Sequence, residues 1–165
     1  MRTEVEFVGF AEGCRVQGKL DLEDARLADL LNRQSTIVVR NAVVVRTQDG
    51  HRRRFKRLEI GRDELDVVVA SGPRGDPKRR QPTRSDCVAI QLGSYCAEGY
   101  MHMPRGTTPV ISDSEPAMVA LTDAILEYQF RARSVSEWFR TVLVNRDTAI
   151  AMRTVAGARQ EFGIA

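Results

Sequence analysis

The stretch Phe139-Arg140-Thr141-Val142-Leu143-Val144-Asn145-Arg146-Asp147 overlays Phe55-Lys56-Arg57-Leu58-Glu59-Ile60-Gly61-Arg62-Asp63 position for position. Each copy holds an aromatic, branched aliphatics recurring every second residue, and a short polar turn ending in Arg-Asp. A period of two is the signature of a half-buried strand. Working outward, Val119 to Leu126 matches Ile37 to Val44, so Asp123-Ala124 stands where Asn41-Ala42 does. Glu98 to Met103 matches the strand containing Gly18 and Leu20, and Val88 to Leu92 matches the opening strand. The offset between copies drifts only from 81 to 84 along the chain, which short loop insertions explain. Self-similarity over this length predicts a tandem duplication of a five-stranded unit.

The first copy shows the plan most fully. Glu4 to Phe10 alternates, Gly13 closes a turn, and Arg15 to Leu22 alternates again. The period then becomes helical, with Leu27, Leu30 and Leu31 on one side of a short helix over about residues 24–32. Asp21 or Asp24 can cap its start and Asn32 can end it. Ser35 to Arg46 is dominated by β-branched residues, which suit a pleated surface. Asp49-Gly50 is a hairpin-turn dipeptide, Arg54 to Ile60 is a strand, and Leu65 to Ala70 is the last one. The second copy lacks a helix, because Pro104 to Pro116 holds three prolines and little periodicity. The Gly-, Pro- and Asp-rich run from Ser71 to Pro77, followed by basic residues and Pro82, marks a linker.

The chain has 165 residues, 42% of them hydrophobic and 28% charged, which can fill and cover a core and excludes a wholly disordered or fibrous chain. No apolar run approaches the roughly 18–20 residues needed to cross a bilayer. The opening Met1-Arg2-Thr3-Glu4-Val5-Glu6-Phe7 places acids where a signal peptide needs an apolar region, so a cytoplasmic protein is expected. Cys14, Cys87 and Cys96 form no CxxC pair and are expected to be buried thiols. With His51 and His102 they make no metal-ligand pattern, and neither a P-loop nor a glycine-rich nucleotide fingerprint occurs. No metal, cofactor or catalytic residue is expected, because no nucleophile, base and orienting group can be assembled. Trp138, with Phe139 and Phe130, is expected to pack the second unit's core.

The motif order resembles the Sm/LSm family of small bent β-barrels. The residues that carry the resemblance are the alternating Val5 to Phe10, the turn at Gly13, Gly18-Lys19-Leu20, Ile37 to Asn41-Ala42, and the Leu58 to Leu65 segment with its copy at Val142 to Ala149. It is also similar to bacterial Sm-like domains of uncharacterised function that insert an Arg-Leu-x-Asp-x-Leu-Asn segment, here Arg26 to Asn32. The resemblance implies a mainly β protein of two tandem five-stranded bent barrels. The first spans 1–72 and the second 86–156, with a basic linker at 73–85 and a tail at 157–165. RNA-binding members use an Asn before the aliphatic strand and an Arg and Asn in the second-motif turn. Here that turn is Gly61-Arg62-Asp63-Glu64 in one copy and Asn145-Arg146-Asp147-Thr148 in the other, so Arg and Gly are transposed and Glu64 replaces the Asn. The resemblance therefore speaks for the barrel more than for the RNA pocket. Locally, Asp63 and Asp147 suit a turn, with Arg62 and Arg146 pairing nearby.

Charge supplies the remaining signals. Residues 1–80 carry 17 Lys+Arg and 13 Asp+Glu, a net +4, while residues 81–165 carry 8 and 9, a net −1. The run His51-Arg52-Arg53-Arg54-Phe55-Lys56-Arg57 is either a phosphate-contacting hairpin or an edge strand whose cations block edge-to-edge pairing; the edge reading is preferred. Arg79, Arg80 and Arg84 could extend a nucleic-acid contact. Arg80 and Arg84 also have the RxxxR spacing of PilZ domains, a resemblance that implies cyclic di-GMP, although the second PilZ motif is missing. The expected function is a non-catalytic interaction or scaffold protein with a protein partner or self-association. Nucleic-acid binding and an effector of the cyclic di-GMP type are the alternatives.

Overall fold

Ten antiparallel strands and one helix account for the fold in a computed structural model that describes residues 2–23, 26–71, 83–104 and 116–155. The strands are β1 (Arg2–Ala11), β2 (Cys14–Glu23), β3 (Thr36–Arg46), β4 (Arg52–Gly61), β5 (Leu65–Val69), β6 (Thr83–Leu92), β7 (Tyr95–Pro104), β8 (Met118–Phe130), β9 (Arg133–Asn145) and β10 (Ala151–Thr154). The helix α1 is Leu27–Arg33. All ten strands share one sheet in the order β10-β6-β7-β8-β9-β5-β1-β2-β3-β4. The sheet does not close on itself, and β4 and β10 are its edges. The last five strands repeat the neighbour order of the first five, and β5 and β9 join the two sets.

The register reproduces the sequence repeat. Ala42 faces Phe55 across β3 and β4, and Ala124 faces Phe139 across β8 and β9. Asn41 (φ 49°) and Asp123 (φ 50°) both adopt the left-handed conformation, which Asn and Asp tolerate better than most residues. Opposite them, the β2–β3 and β7–β8 ladders each slip by a bulge, at Gly18 and Gly99. A Cβ on Gly18 would sit 2.4 Å from Val39 Cγ1 and 2.8 Å from the Arg40 carbonyl oxygen; one on Gly99 would meet Leu121 Cβ at 3.1 Å. Glycine at both places lets the bent neighbouring strand approach.

Two apolar clusters fill the molecule, and they exchange residues at the join. Met118 and Leu143 belong to the cluster built on β1–β5 and α1, while Phe10 and Val67 belong to the one built on β6–β10. On β5, Val67 faces one cluster and Val68 the other. A strand with a core on each face loses its polar alternation, which is why Leu65-Asp66-Val67-Val68-Val69 is nearly continuous apolar sequence.

Several expectations need correction. The helix starts at Leu27, its N-cap is Arg26 without a side-chain cap, and it ends at Arg33 with Gln34 as its C-cap. Asp21 lies in β2, where Arg40 holds it, and Asp24 lies outside the described residues. β6 begins at Thr83, inside the segment expected to be linker, because its ladder with β7 runs back to Pro104. Trp138 is 61% exposed and not a core residue. Phe139 packs against the second cluster, and adjacent strand residues point to opposite faces, so Trp138 must face out. Cys14, Cys87 and Cys96 form no disulfide with one another and are only partly buried.

Candidate interaction edge

Strand β4 is the most charged element of the fold and one border of the sheet. Every residue from Arg52 to Arg54, with Lys56 and Arg57, is exposed. The ladder to β3 fixes which side of the strand is open. Arg46 N–H donates to the His51 carbonyl at 2.9 Å, and Val45 and Val43 stand opposite Arg52 and Arg54. By antiparallel alternation the backbone N–H groups of Arg52 and Arg54 point away from β3, toward solvent. The side chains alternate too. Arg52, Arg54 and Lys56 lie on one face, and Arg53 lies on the other, its guanidinium 5.3 Å from the Phe55 ring centre.

None of Arg52, Arg53, Arg54, Lys56 or Arg57 has an ion-pair partner among the described residues. Two nearby acids are committed elsewhere, Asp49 to Arg46 and Glu64 to the Gly61 N–H at 2.8 Å, while Glu59 of β4 and Asp63 are exposed. Asp66 is buried, which raises its pKa above the usual carboxylate range. The other predicted cations are not gathered onto this edge. Arg79 and Arg80 lie outside the described residues. Arg84 sits on β6, with Nε donating to Asp86 at 2.9 Å, so the described part of the RxxxR pair is engaged by an acid.

Two turn residues of the second motif, Arg62 and Asn145, bond to backbone carbonyls. Arg62 Nη1 donates to the Leu31 and Asn32 carbonyls at 3.0 and 3.3 Å, satisfying the end of α1, where a cation also complements the helix dipole. Asn145 is buried and makes three bonds. Its Nδ2 donates to the Arg62 and Leu65 carbonyls at 3.0 and 2.9 Å, and its Oδ1 accepts from Asp147 N–H at 2.9 Å. It thus ties the end of β9 to the start of β5. Asp63 is exposed, Gly61 is half-buried, and Arg146 pairs with its neighbour Asp147 at 3.5 Å.

The β5–β9 join is reinforced by side chains that sequence reading missed. Asn32 Oδ1 accepts from Met118 N–H at 2.8 Å, docking α1 onto β8. Tyr95 Oη donates to the Ala11 carbonyl at 2.7 Å, and Arg15 pairs with Glu137 at 3.0 Å. Glu137 also accepts from Tyr128, whose pKa burial and this bond push up to about 12. These partners lie about 85 to 120 residues apart, and no local pattern announces them.

His102, expected to have no catalytic partner, bridges Ser85 (2.9 Å) and Thr122 (2.7 Å). It holds two hydroxyls across β6–β8 with no carboxylate to orient it, and such a bridge needs no catalysis to explain it. Among the described residues, no group of three or more His, Cys, Asp or Glu could hold a metal ion, and no helix is long and apolar enough to cross a membrane. Comparison with models of protein families, with curated proteins and with solved structures found no match.

Proposed function

We propose that this chain is a non-catalytic interaction module, two Sm-like five-stranded halves joined edge to edge, which takes up partner strands at its open borders. The observation that carries this reading is the long edge of β4, unpaired among the described residues, a ten-residue strand with outward backbone donors in a sheet already held together by one edge-to-edge join. An exposed edge is a template for another strand, with main-chain bonds giving affinity and alternate side chains giving selectivity. The repeated strand order, the matched bulges at Gly18 and Gly99, and the left-handed Asn41 and Asp123 support the two-barrel description. Cysteines that are not bridged to one another suit a cytoplasmic setting.

Selection of displayed random peptides on the intact protein tests the reading. Enriched peptides should lose binding to an Arg54→Pro variant, whose missing N–H lies on the open side, and keep it on Arg54→Ala. If no enriched peptide depends on β4 or β10, the module reading fails.

A nucleic-acid reading is favoured by one observation, the five cations of β4 that have no ion-pair partner among the described residues. It requires an affinity for single-stranded RNA that falls steeply with salt and with joint replacement of Arg52, Arg53 and Arg54. No gel shift at low salt removes it.

A further inference from the structure

We infer that the strand added at β4 is an acidic extended segment of another protein; this rests on the interaction-module reading and names its partner.

The internal join shows what a well-matched edge looks like here. Val67, Val68 and Val69 of β5 meet Val144, Leu143 and Val142 of β9, and Asn145 bridges the end. A second copy would bring β10 to β4 in the corresponding register, and each of these features is then lost. The 84-residue offset makes Leu58, Glu59 and Ile60 the counterparts of Val142 to Val144. It likewise makes Ala151, Met152 and Arg153 the counterparts of Val67 to Val69. The apolar row becomes a mixed one, and Gly61 replaces Asn145, so no side chain bridges. Among the described residues β10 is Ala151–Thr154, and by that register these four residues reach as far as Arg57. The cationic end of β4 stays bare, and the copy brings one more cation, Arg153.

The placement of the cations separates a peptide from a nucleic acid. Arg52, Arg54 and Lys56 lie on one face of β4 and Arg53 on the other, so a polyanion lying on one face meets only part of the charge. A partner strand alternates in the same way. Its side chains stand opposite both rows, at the separations where cross-strand pairs of opposite charge stabilise and like charges do not. Strands bordered by cations repel basic or neutral edges. An acidic strand turns that repulsion into attraction, and a β-branched residue suits the position opposite Phe55.

The antiparallel complement of Arg52 to Arg57 is Thr-Glu-Glu-Val-Glu-Glu-Glu-Thr. Fluorescence anisotropy with this labelled peptide and the full chain, at about 150 mM salt, should show saturable binding about ten-fold or more tighter than its all-Gln version, given several favourable charge pairs. Methylating alternate peptide amides on the bonding side should abolish binding, because strand addition needs those donors. Arg54→Pro should abolish it, while Arg54→Ala loses only a few-fold. The double variant Arg52→Glu/Lys56→Glu should erase most of the preference for the acidic peptide over its all-Gln version, with circular dichroism confirming the fold. Equal binding of the Gln peptide, or full binding of the methylated one, overturns the inference. So does a single-stranded RNA that binds tighter under the same conditions, or a second copy that light scattering finds on β4 and the peptide cannot displace. If displayed peptides bind β4 but are not acidic, only the acidic preference falls; if none binds either edge, the module reading falls with it.

Discussion

Replacing Asn145 tests how the two strand sets are held together. Only three residue pairs make the β5–β9 ladder, so the buried Asn145 side chain is a large part of the join. Asn145→Ala removes two donors from the Arg62 and Leu65 carbonyls and one acceptor from Asp147 N–H. A neutral hydrogen bond is worth about 0.5–1.5 kcal/mol net, and a buried group left unpaired costs about 1–3 kcal/mol. Water can reach Asp147 N–H, so the two carbonyls dominate, and the expected loss is about 2–4 kcal/mol. For a chain of this length that lowers Tm by roughly 5–15 °C. Asn145→Asp is the sharper variant. It keeps the acceptor for Asp147 but turns the Nδ2 position into an oxygen facing two carbonyl oxygens. At neutral pH it should cost more than Asn145→Ala, and the deficit should shrink as acid protonates the new carboxyl, which can then donate one bond. Urea denaturation from about pH 4 to 8 reads both effects. A loss below about 0.5 kcal/mol for Asn145→Ala, or an Asp variant more stable than the Ala variant at pH 7, would refute the claim that this side chain ties the halves together.

Gly18→Ala should cost more than Gly99→Ala, because the first Cβ meets a β-branched side chain and a backbone oxygen under 3.0 Å and the second meets its neighbours above that distance. Overpacking at this level costs about 1–3 kcal/mol, and thermal melts of the two variants would rank them. The β8–β9 turn holds Arg131 at φ 53° and Ala132 at φ 64°, so Ala132→Gly should raise stability by about 0.5–1.5 kcal/mol where an interior glycine would lower it; an unchanged or lower Tm speaks against the strain. Asp66 has its folded pKa raised by burial, so its neutral carboxyl is accommodated at low pH and the carboxylate formed as pH rises through that value opposes folding. Asp66→Asn should therefore match the parent near pH 3.5 and exceed it at neutral pH, and chemical denaturation at the two pH values gives the sign.

The sequence alone determined the local elements and their repetition. Alternation marked the strands, Asn41-Ala42 and Asp123-Ala124 marked equivalent positions, and Phe55 and Phe139 took matching places opposite them, since each of these depends on neighbours within a few residues. The same rule, properly applied, would have placed Trp138 outside, because Phe139 beside it faces the core. The basic run at Arg52 to Arg57 was legible as an edge strand, but its open backbone side depends on pairing with β3. Only the tertiary structure decided that one open sheet runs through both halves, that Arg62 closes α1, and that Asn32, Tyr95 and Asn145 stitch one half to the other. The bonds that stitch the halves join residues 80 or more positions apart, and even those of Arg62 to α1 span about 30, so their energy depends on which backbone groups happen to meet, a quantity that periodicity and composition do not encode.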